Sequence, residues 1–116
     1  MPTLDMEGPY PFKEKYIDPL VDKEKIGNYL LGKIEGELFH VWYVGRSDTD
    51  LNRRLREHIS EDYTHFMYSY QTHVNDAYTK ECTNFHGFNG TNHLNNQRHP
   101  NKPEGCHHLN CPHCGI

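Results

Sequence analysis

The pattern of apolar and polar positions predicts three β-strands. Residues 26–34 and 36–45 are two largely apolar runs with a turn between them at Glu35 and Gly36, an arrangement typical of a β-hairpin. The second run is apolar at nearly every position, which indicates a central strand that is covered on both faces. Apolar and polar residues alternate over 64–72, which predicts a third strand with one buried face.

Two α-helices are predicted from capping residues and from helical periodicity. The first extends from about 50 to 60, because N-capping side chains around Asp50 precede it. Four of its side chains share one face, at positions i, i+4, i+7 and i+8: Leu51, Leu55, His58 and Ile59. The second helix is capped by Asn75 or Asp76 and runs to about 86.

The two ends of the chain differ in composition from the middle. Residues 1–25 are interrupted by prolines, so we expect an N-terminal arm with little regular structure before Pro19. Residues 26–96 are the predicted folded domain. Residues 97–116 are rich in Asn, Gly, His and Pro, which predicts a tail that packs on the same domain. The predicted class is α+β, with a small, largely antiparallel three-stranded sheet flanked by helices.

Composition narrows the classes of function. The chain has 116 residues, 34% of them apolar, so it can bury one modest core that benefits from an added cross-link. Its net charge of -4 argues against a protein that coats nucleic acid, but not against a local basic patch. We find no secretory signal and no membrane-spanning run, so we expect a cytoplasmic protein with reduced thiols and no membrane partner.

The cysteines near the C-terminus have the spacing of metal ligands. Cys111 and Cys114 form a C-x-x-C pair followed by a glycine, which can supply half of a tetrahedral zinc site. Cys82 and His86 are four residues apart on the second predicted helix, so both can reach one metal ion. Together these four residues predict a zinc site that ties the tail to the helix.

An alternative ligand set is local to the tail. In this set Cys106 and one of the next two residues, His107 or His108, join the C-x-x-C pair. In either set four protein ligands leave no open position on the ion, so the zinc would be structural rather than catalytic.

Two tripeptides and the helix after them carry a family resemblance. Gly27-Asn28-Tyr29 lies in the first predicted strand, and Tyr43-Val44-Gly45 ends the second. An arginine-rich helix that reaches His58 follows. Over about 26–96 the chain resembles the GIY-YIG nuclease superfamily, which is named for the two tripeptides and has a similar order of strands and helices. Small stand-alone members with a C-terminal CPxC element are also similar to this chain.

The resemblance implies a set of catalytic residues and a catalytic metal. Tyr29 and Tyr43 match the two motif tyrosines, and Tyr29 would act as the general base. Arg54 matches the essential helix arginine, and His58 matches a recurrent histidine. Glu81 matches the single glutamate that binds the catalytic ion, usually Mg²⁺ or Mn²⁺. Cleavage of nucleic-acid phosphodiester bonds is the activity that the family carries.

The last implied residue is an asparagine near the start of the tail. Asn96 matches it, with Asn95 as the alternative register. An arginine suits phosphate because its planar donors stay charged and can meet two oxygens. Three further arginines would contact the phosphate backbone without reading sequence: Arg46, Arg53 and Arg56.

The expected function is therefore a metal-dependent endonuclease, with DNA favoured over RNA as the substrate. A partner protein or a dimer would supply specificity, because a chain this short has little surface for reading sequence. The alternative is a non-catalytic, zinc-stabilised module on a nuclease scaffold that binds nucleic acid or a protein.

Overall fold

The computed structural model of the chain describes residues 6–106 and 108–115. Four strands form one antiparallel sheet in the order β1-β4-β2-β3: β1 (Glu7–Pro11), β2 (Gly27–Glu35), β3 (Leu38–Ser47) and β4 (His65–Tyr70). Three α-helices pack on it: α1 (Glu14–Leu20), α2 (Leu51–Glu57) and α3 (Val74–Gly87). A 3-10 turn at Gly90–Asn92 follows α3. The α+β class is confirmed.

The sheet has four strands, so the expectation of three is wrong. The extra strand comes from the arm, where β1 pairs with β4 and α1 follows at once. Two prolines, Pro9 and Pro11, lie in β1, and they made this segment look irregular. A strand at the edge of a sheet tolerates proline, because one side of its backbone has no partner strand that needs the missing N–H.

The second predicted strand is at the other edge of the sheet rather than in its centre. β3 pairs only with β2, from Gly27 opposite Ser47 to Glu35 opposite Leu38. Its apolar side chains pack in the hydrophobic clusters on both faces of the sheet. Part of its free edge is covered by the tail, because the amide side chain of Asn96 accepts from Val44 N at 2.9 Å and donates to Val44 O at 2.8 Å.

Each face of the sheet carries its own hydrophobic core, because consecutive residues of a strand point to opposite sides. Tyr29 and Leu31 of β2 belong to a cluster that includes residues of α1 and α2. Leu30, between them, packs on the other face with Val44 and with Phe85 of α3. This two-sided burial explains why the first six residues of β2 are all buried.

The helices begin and end close to the predicted positions. Asp50 caps α2 as expected, since its side chain accepts from the backbone N–H of Arg53 at 3.1 Å. The cap of α3 is His73 rather than Asn75 or Asp76, and it makes no side-chain capping bond. Within the described residues, none of the helices has both the length and the apolar character needed to cross a membrane.

Candidate active site and metal centre

A polar cleft opens where β2, β3, α2, α3 and the tail meet, and its volume is about 280 Å³. Five of the six residues implied by the family resemblance line this cleft: Tyr29, Tyr43, Arg54, Glu81 and Asn96. The sixth, His58, lines an adjoining depression and contacts the hydroxyl of Tyr29. The fold therefore gathers side chains that are separated by up to 67 positions in the sequence.

The two tripeptides are neighbours because the β2–β3 hairpin places Tyr29 directly opposite Gly45. The ring of Tyr29 lies against Gly45, where a Cβ atom would collide with its phenol carbon and oxygen. Tyr29 also lies parallel to Tyr43, with ring centroids 6.2 Å apart and an angle of 16°. The glycine at the end of the second tripeptide is thus required by the tyrosine of the first.

Asn28, the middle residue of the first tripeptide, is fully buried on the α3 face of the sheet. Its side-chain amide donates to the carbonyl oxygen of Ala77 at 2.9 Å. Ala77 lies one helical turn before Glu81. This bond ties β2 to the part of α3 that carries the cleft glutamate, which gives the polar side chain at this position a structural role.

A hydrogen-bonded chain runs from Tyr29 through His58 to Glu61. The Tyr29 hydroxyl lies 2.8 Å from His58 Nε2, and His58 Nδ1 lies 2.7 Å from a carboxylate oxygen of Glu61. A carboxylate can only accept, so Nδ1 carries the proton and Nε2 accepts from the tyrosine. Glu61 was not singled out from the sequence, although its i+3 spacing from His58 was a usable signal.

The pKa of Tyr29 moves in the opposite direction from the one expected of a general base. Burial raises the pKa of Tyr29 far above 10, the proximity of Tyr43 adds to this, and Arg54 offsets only part of it. The phenol therefore stays protonated at neutral pH. Because of its bond to His58, Tyr29 can take up a proton only if it passes its own proton on.

Arg54 projects from α2 into the cleft, as expected. Its side chain is 47% exposed and donates to Glu57 at 2.9 Å through one of its five N–H groups. Desolvation lowers the pKa of Arg54, but the proximity of Tyr29 and Glu57 more than offsets this, so the guanidinium stays charged. The remaining donors are available to an anion in the cleft.

Glu81 is held by an ion pair that the sequence did not predict. Arg46 donates through Nη1 to Glu81 and through Nε to Asp48, the latter at 2.8 Å. The side chains of Arg46 and Glu81 are each only 10% exposed. Burial raises the pKa of Glu81 to about 7, and Arg46 limits the rise. Asp48, two residues before the cap of α2, also lines the cleft.

The arginines expected to contact the nucleic-acid backbone have other positions. Arg46 lines the cleft, but its guanidinium is engaged by the two carboxylates and is not free for phosphate. Arg56 donates to Asn52 at 2.8 Å and turns toward α1. Arg53 is exposed and, like Arg56, does not line the cleft. Successive helix positions turn by about 100°, so Arg53 and Arg56 leave α2 on other sides than Arg54.

Arg98 is a cleft residue that sequence reasoning missed. It lines the cleft and also the adjoining depression beside His58. It lies in a tail segment without helix or strand, so no periodicity indicated where it would point. Asn96 lines the cleft as expected, whereas Asn95 turns away and donates to the Tyr63 hydroxyl at 3.1 Å, which favours the Asn96 register.

The structure brings four ligand side chains together beside α3, and we call them the tail metal group: His86, His99, Cys111 and Cys114. Their ligand atoms all lie within 4.8 Å of one another. Nε2 of His86 is buried and has no hydrogen-bond partner among the described residues. His99 Nδ1 lies 3.0 Å from the carbonyl oxygen of Pro100, and its Nε2 lies 3.4 Å from the Cys114 sulfur. A ring nitrogen fixed by a backbone carbonyl is typical of a metal-binding histidine.

The lowered pKa of Cys111 suits a cation at this group. Burial opposes ionisation of Cys111, but the backbone N–H groups of His113 and Cys114 outweigh it and lower its pKa to about 5. A thiolate is the form that binds metal. Two histidines and two cysteines could hold a metal such as zinc.

Cys82, which was predicted as a ligand, lies outside the tail metal group, and His99 belongs to the group instead. Cys82 points into the protein interior, where it packs with Tyr78 and Cys111. Burial raises the pKa of its thiol to about 12. His86 is one turn later on α3 and faces the tail. Of the two residues predicted on α3, His86 therefore belongs to the tail metal group and Cys82 does not.

Within the described residues, the local alternative shares only Cys111 and Cys114 with the tail metal group. Cys106 lies outside the tail metal group, and its sulfur is 3.8 Å from the side-chain oxygen of Asn75. His108 is exposed and also lies outside the group. His107 lies outside the described residues.

Comparisons with known proteins add no relatives. A scan of protein-family models, a search of curated proteins and a search of solved structures each found no match to this chain. The resemblance to the GIY-YIG superfamily therefore depends on the residues and on the geometry described above.

Proposed function

We propose that this protein is a divalent-metal-dependent endonuclease of the GIY-YIG type that hydrolyses phosphodiester bonds of nucleic acid. The observation that carries the proposal is the shared cleft. Tyr29, Tyr43, Arg54, Glu81 and Asn96 meet there although they come from two strands, two helices and the tail. A proton relay, a charged and partly exposed arginine, and a buried carboxylate in one cleft are the groups that phosphodiester hydrolysis requires.

The proton relay activates the attacking water. As the water oxygen forms a bond to phosphorus, its proton moves to the Tyr29 oxygen while the Tyr29 proton moves to His58 Nε2. Glu61, bonded to Nδ1, stabilises the resulting imidazolium. This path is consistent with a phenol of high pKa, because Tyr29 never has to exist as a free phenolate.

Charge on the phosphoryl group is met by Arg54. The transition state places additional negative charge on the non-bridging oxygens, and a guanidinium can donate to two of them at once. Arg54 is partly exposed and stays charged, so it can reach a phosphate without losing a buried partner.

The carboxylates of Glu81 and Asp48 fit a Mg²⁺ or Mn²⁺ ion, since both line the cleft and Mg²⁺ is commonly held by one or two carboxylates plus substrate oxygens. A bound ion supplies positive charge to the oxygen that leaves when the phosphodiester breaks. Arg46 already pairs with both carboxylates, so we expect the ion to bind weakly without substrate. For the tail metal group we propose structural Zn²⁺, because four protein ligands complete a tetrahedron.

A cleavage assay tests the proposal. Labelled single-stranded, duplex and branched DNA, and RNA, are incubated with the protein and Mg²⁺ or Mn²⁺. DNA is the preferred substrate that we expect. Arg54→Ala and Glu81→Ala should abolish cutting, whereas Arg53→Ala, which removes the same charge from the same helix outside the cleft, should not. Cutting that persists in both cleft variants would refute the assignment.

The Arg46–Glu81 ion pair favours a second candidate. A carboxylate that is already neutralised by arginine is a weak metal ligand, so the fold would also suit a non-catalytic module that binds nucleic acid or a protein. Salt-sensitive binding without cleavage would identify a nucleic-acid module. Absence of both, with the fold intact, would indicate a protein partner.

A further inference from the structure

One wall of the cleft is a tail segment that is held at both ends. At its start, Asn96 makes two hydrogen bonds to the backbone of Val44. Near its end, His99 belongs to the tail metal group. Between these anchors lies Arg98, which lines the cleft. The four ligands of the tail metal group and the wall of the cleft therefore share one residue, His99.

Arg98 adds a positive charge to the cleft. Three arginines and two carboxylates line it: Arg46, Arg54, Arg98, Asp48 and Glu81. Arg46 is engaged by both carboxylates, which leaves Arg54 and Arg98 as the cations that can meet an anion. Arg98 is exposed, and in the part of the chain that the structure describes no carboxylate is paired with it.

The second anchor depends on the metal group. Residues 97–101 form no helix or strand, so no ladder of backbone hydrogen bonds holds them. Besides its place among the ligands, His99 has ring contacts with Phe85 and His86, at centroid distances of 5.5 and 5.3 Å. Such contacts are weak compared with a metal–ligand bond. Loss of the ion would release the segment that carries Arg98.

We propose that the tail metal group positions Arg98 as a second phosphate-binding cation of the cleft, so that metal occupancy sets the affinity for nucleic acid. The inference rests on the proposed function in one respect, that the cleft receives a phosphodiester. It extends that function, because it makes a metal that takes no part in the chemistry a determinant of substrate binding.

Hydrogen exchange tests the link between metal and segment without reference to activity. The amides of Gln97, Arg98 and His99 are compared in the zinc-loaded protein and in Cys114→Ser, with Cys106→Ser as the matched thiol control outside the group. We expect faster exchange of these amides in Cys114→Ser alone, while the amides of the sheet remain protected. Equal exchange in the two variants would overturn the proposal.

Binding of a fluorescein-labelled DNA, measured without Mg²⁺ so that nothing is cut, tests the role of Arg98. Arg98→Ala should weaken binding and reduce the slope of log affinity against log salt by about 1. Cys114→Ser should do the same, and the double variant should bind no more weakly than Arg98→Ala. Arg53→Ala and Cys106→Ser should bind as the parent protein does.

Two outcomes of this binding experiment count against the proposal. Unchanged affinity and slope in Arg98→Ala would show that Arg98 does not meet phosphate. If the double variant loses affinity by the product of the two single-variant losses, the metal group affects binding by a route other than Arg98. Failure of the proposed function gives a different result. In that case the parent protein binds DNA, and its affinity depends on Arg98, Cys114 and salt as described, but it never cuts the DNA. The nuclease activity would then be refuted while the inference about Arg98 stands.

Discussion

Replacing Tyr29 by phenylalanine isolates the proton relay from the packing of the cleft. The ring keeps its contacts with Tyr43 and Gly45, and only the hydroxyl bonded to His58 at 2.8 Å is lost. His58 is 8% exposed, so its Nε2 would be left without a donor in a buried position. An unsatisfied group of this kind costs about 1 to 3 kcal/mol of unfolding free energy. Loss of the proton path should lower the cleavage rate by about 10² to 10⁴-fold.

A matched variant separates the two effects. Tyr68→Phe removes a hydroxyl that donates to the carbonyl oxygen of Leu20 at 3.0 Å, away from the cleft. It should cost about 1 kcal/mol and leave cleavage unchanged. Urea unfolding gives the stability of both variants, and single-turnover cleavage gives the rates. If Tyr29→Phe cuts as fast as Tyr68→Phe, the relay is not part of the mechanism.

Three further predictions concern the cleft glycine, the buried glutamate and the tail metal group. Gly45→Ala should lower the free energy of unfolding in urea by about 1 to 3 kcal/mol and slow cleavage, because the added Cβ collides with Tyr29. The control Gly87→Ala should change neither quantity, because its Cβ would meet no atom within 4 Å. Burial raises the pKa of Glu81 from 4.5 to about 7, so the folded state binds more protons than the unfolded state between these values, and the unfolding free energy should fall as pH rises through this window. The corresponding Glu81→Gln variant should lose this pH dependence, and a parent protein equally stable at both ends of the window would contradict the reasoning. Chelation of the ion at the tail metal group should lower the melting temperature of the parent protein, but it should have no such effect on Cys111→Ser, which cannot complete the group.

The elements around the cleft could be predicted because local signals and tertiary packing agree there. An apolar run next to a hairpin turn identified β2, the alternation of apolar and polar residues identified β4, and the cap at Asp50 marked the start of α2. β1 was missed because its prolines indicate an irregular segment, and only the position at the sheet edge makes them acceptable. Strand order depends on contacts between distant segments, so the edge position of β3 had no local signal.

In the site too, residues on strands and helices could be predicted, whereas residues placed by contacts between distant segments could not. Tyr29, Tyr43, Arg54 and Glu81 were found from motifs within strands and helices, where the backbone fixes the direction of each side chain. Cys82 was predicted as a ligand in place of His99 because it lies one helical turn from His86. That spacing does not show whether a side chain of the helix faces the core or the tail. Arg98 and His99 could not be placed from the sequence, because their segment is positioned by the Asn96 hydrogen bonds to Val44 and by the tail metal group.

The side chain of Asn96 acts as a short substitute for a fifth strand. It occupies the backbone N–H and C=O of Val44, which would otherwise face outward from an apolar strand at the edge of the sheet. A chain truncated before this residue would expose an edge that can pair with the same edge of another copy. We therefore expect loss of the tail to be visible as concentration-dependent aggregation.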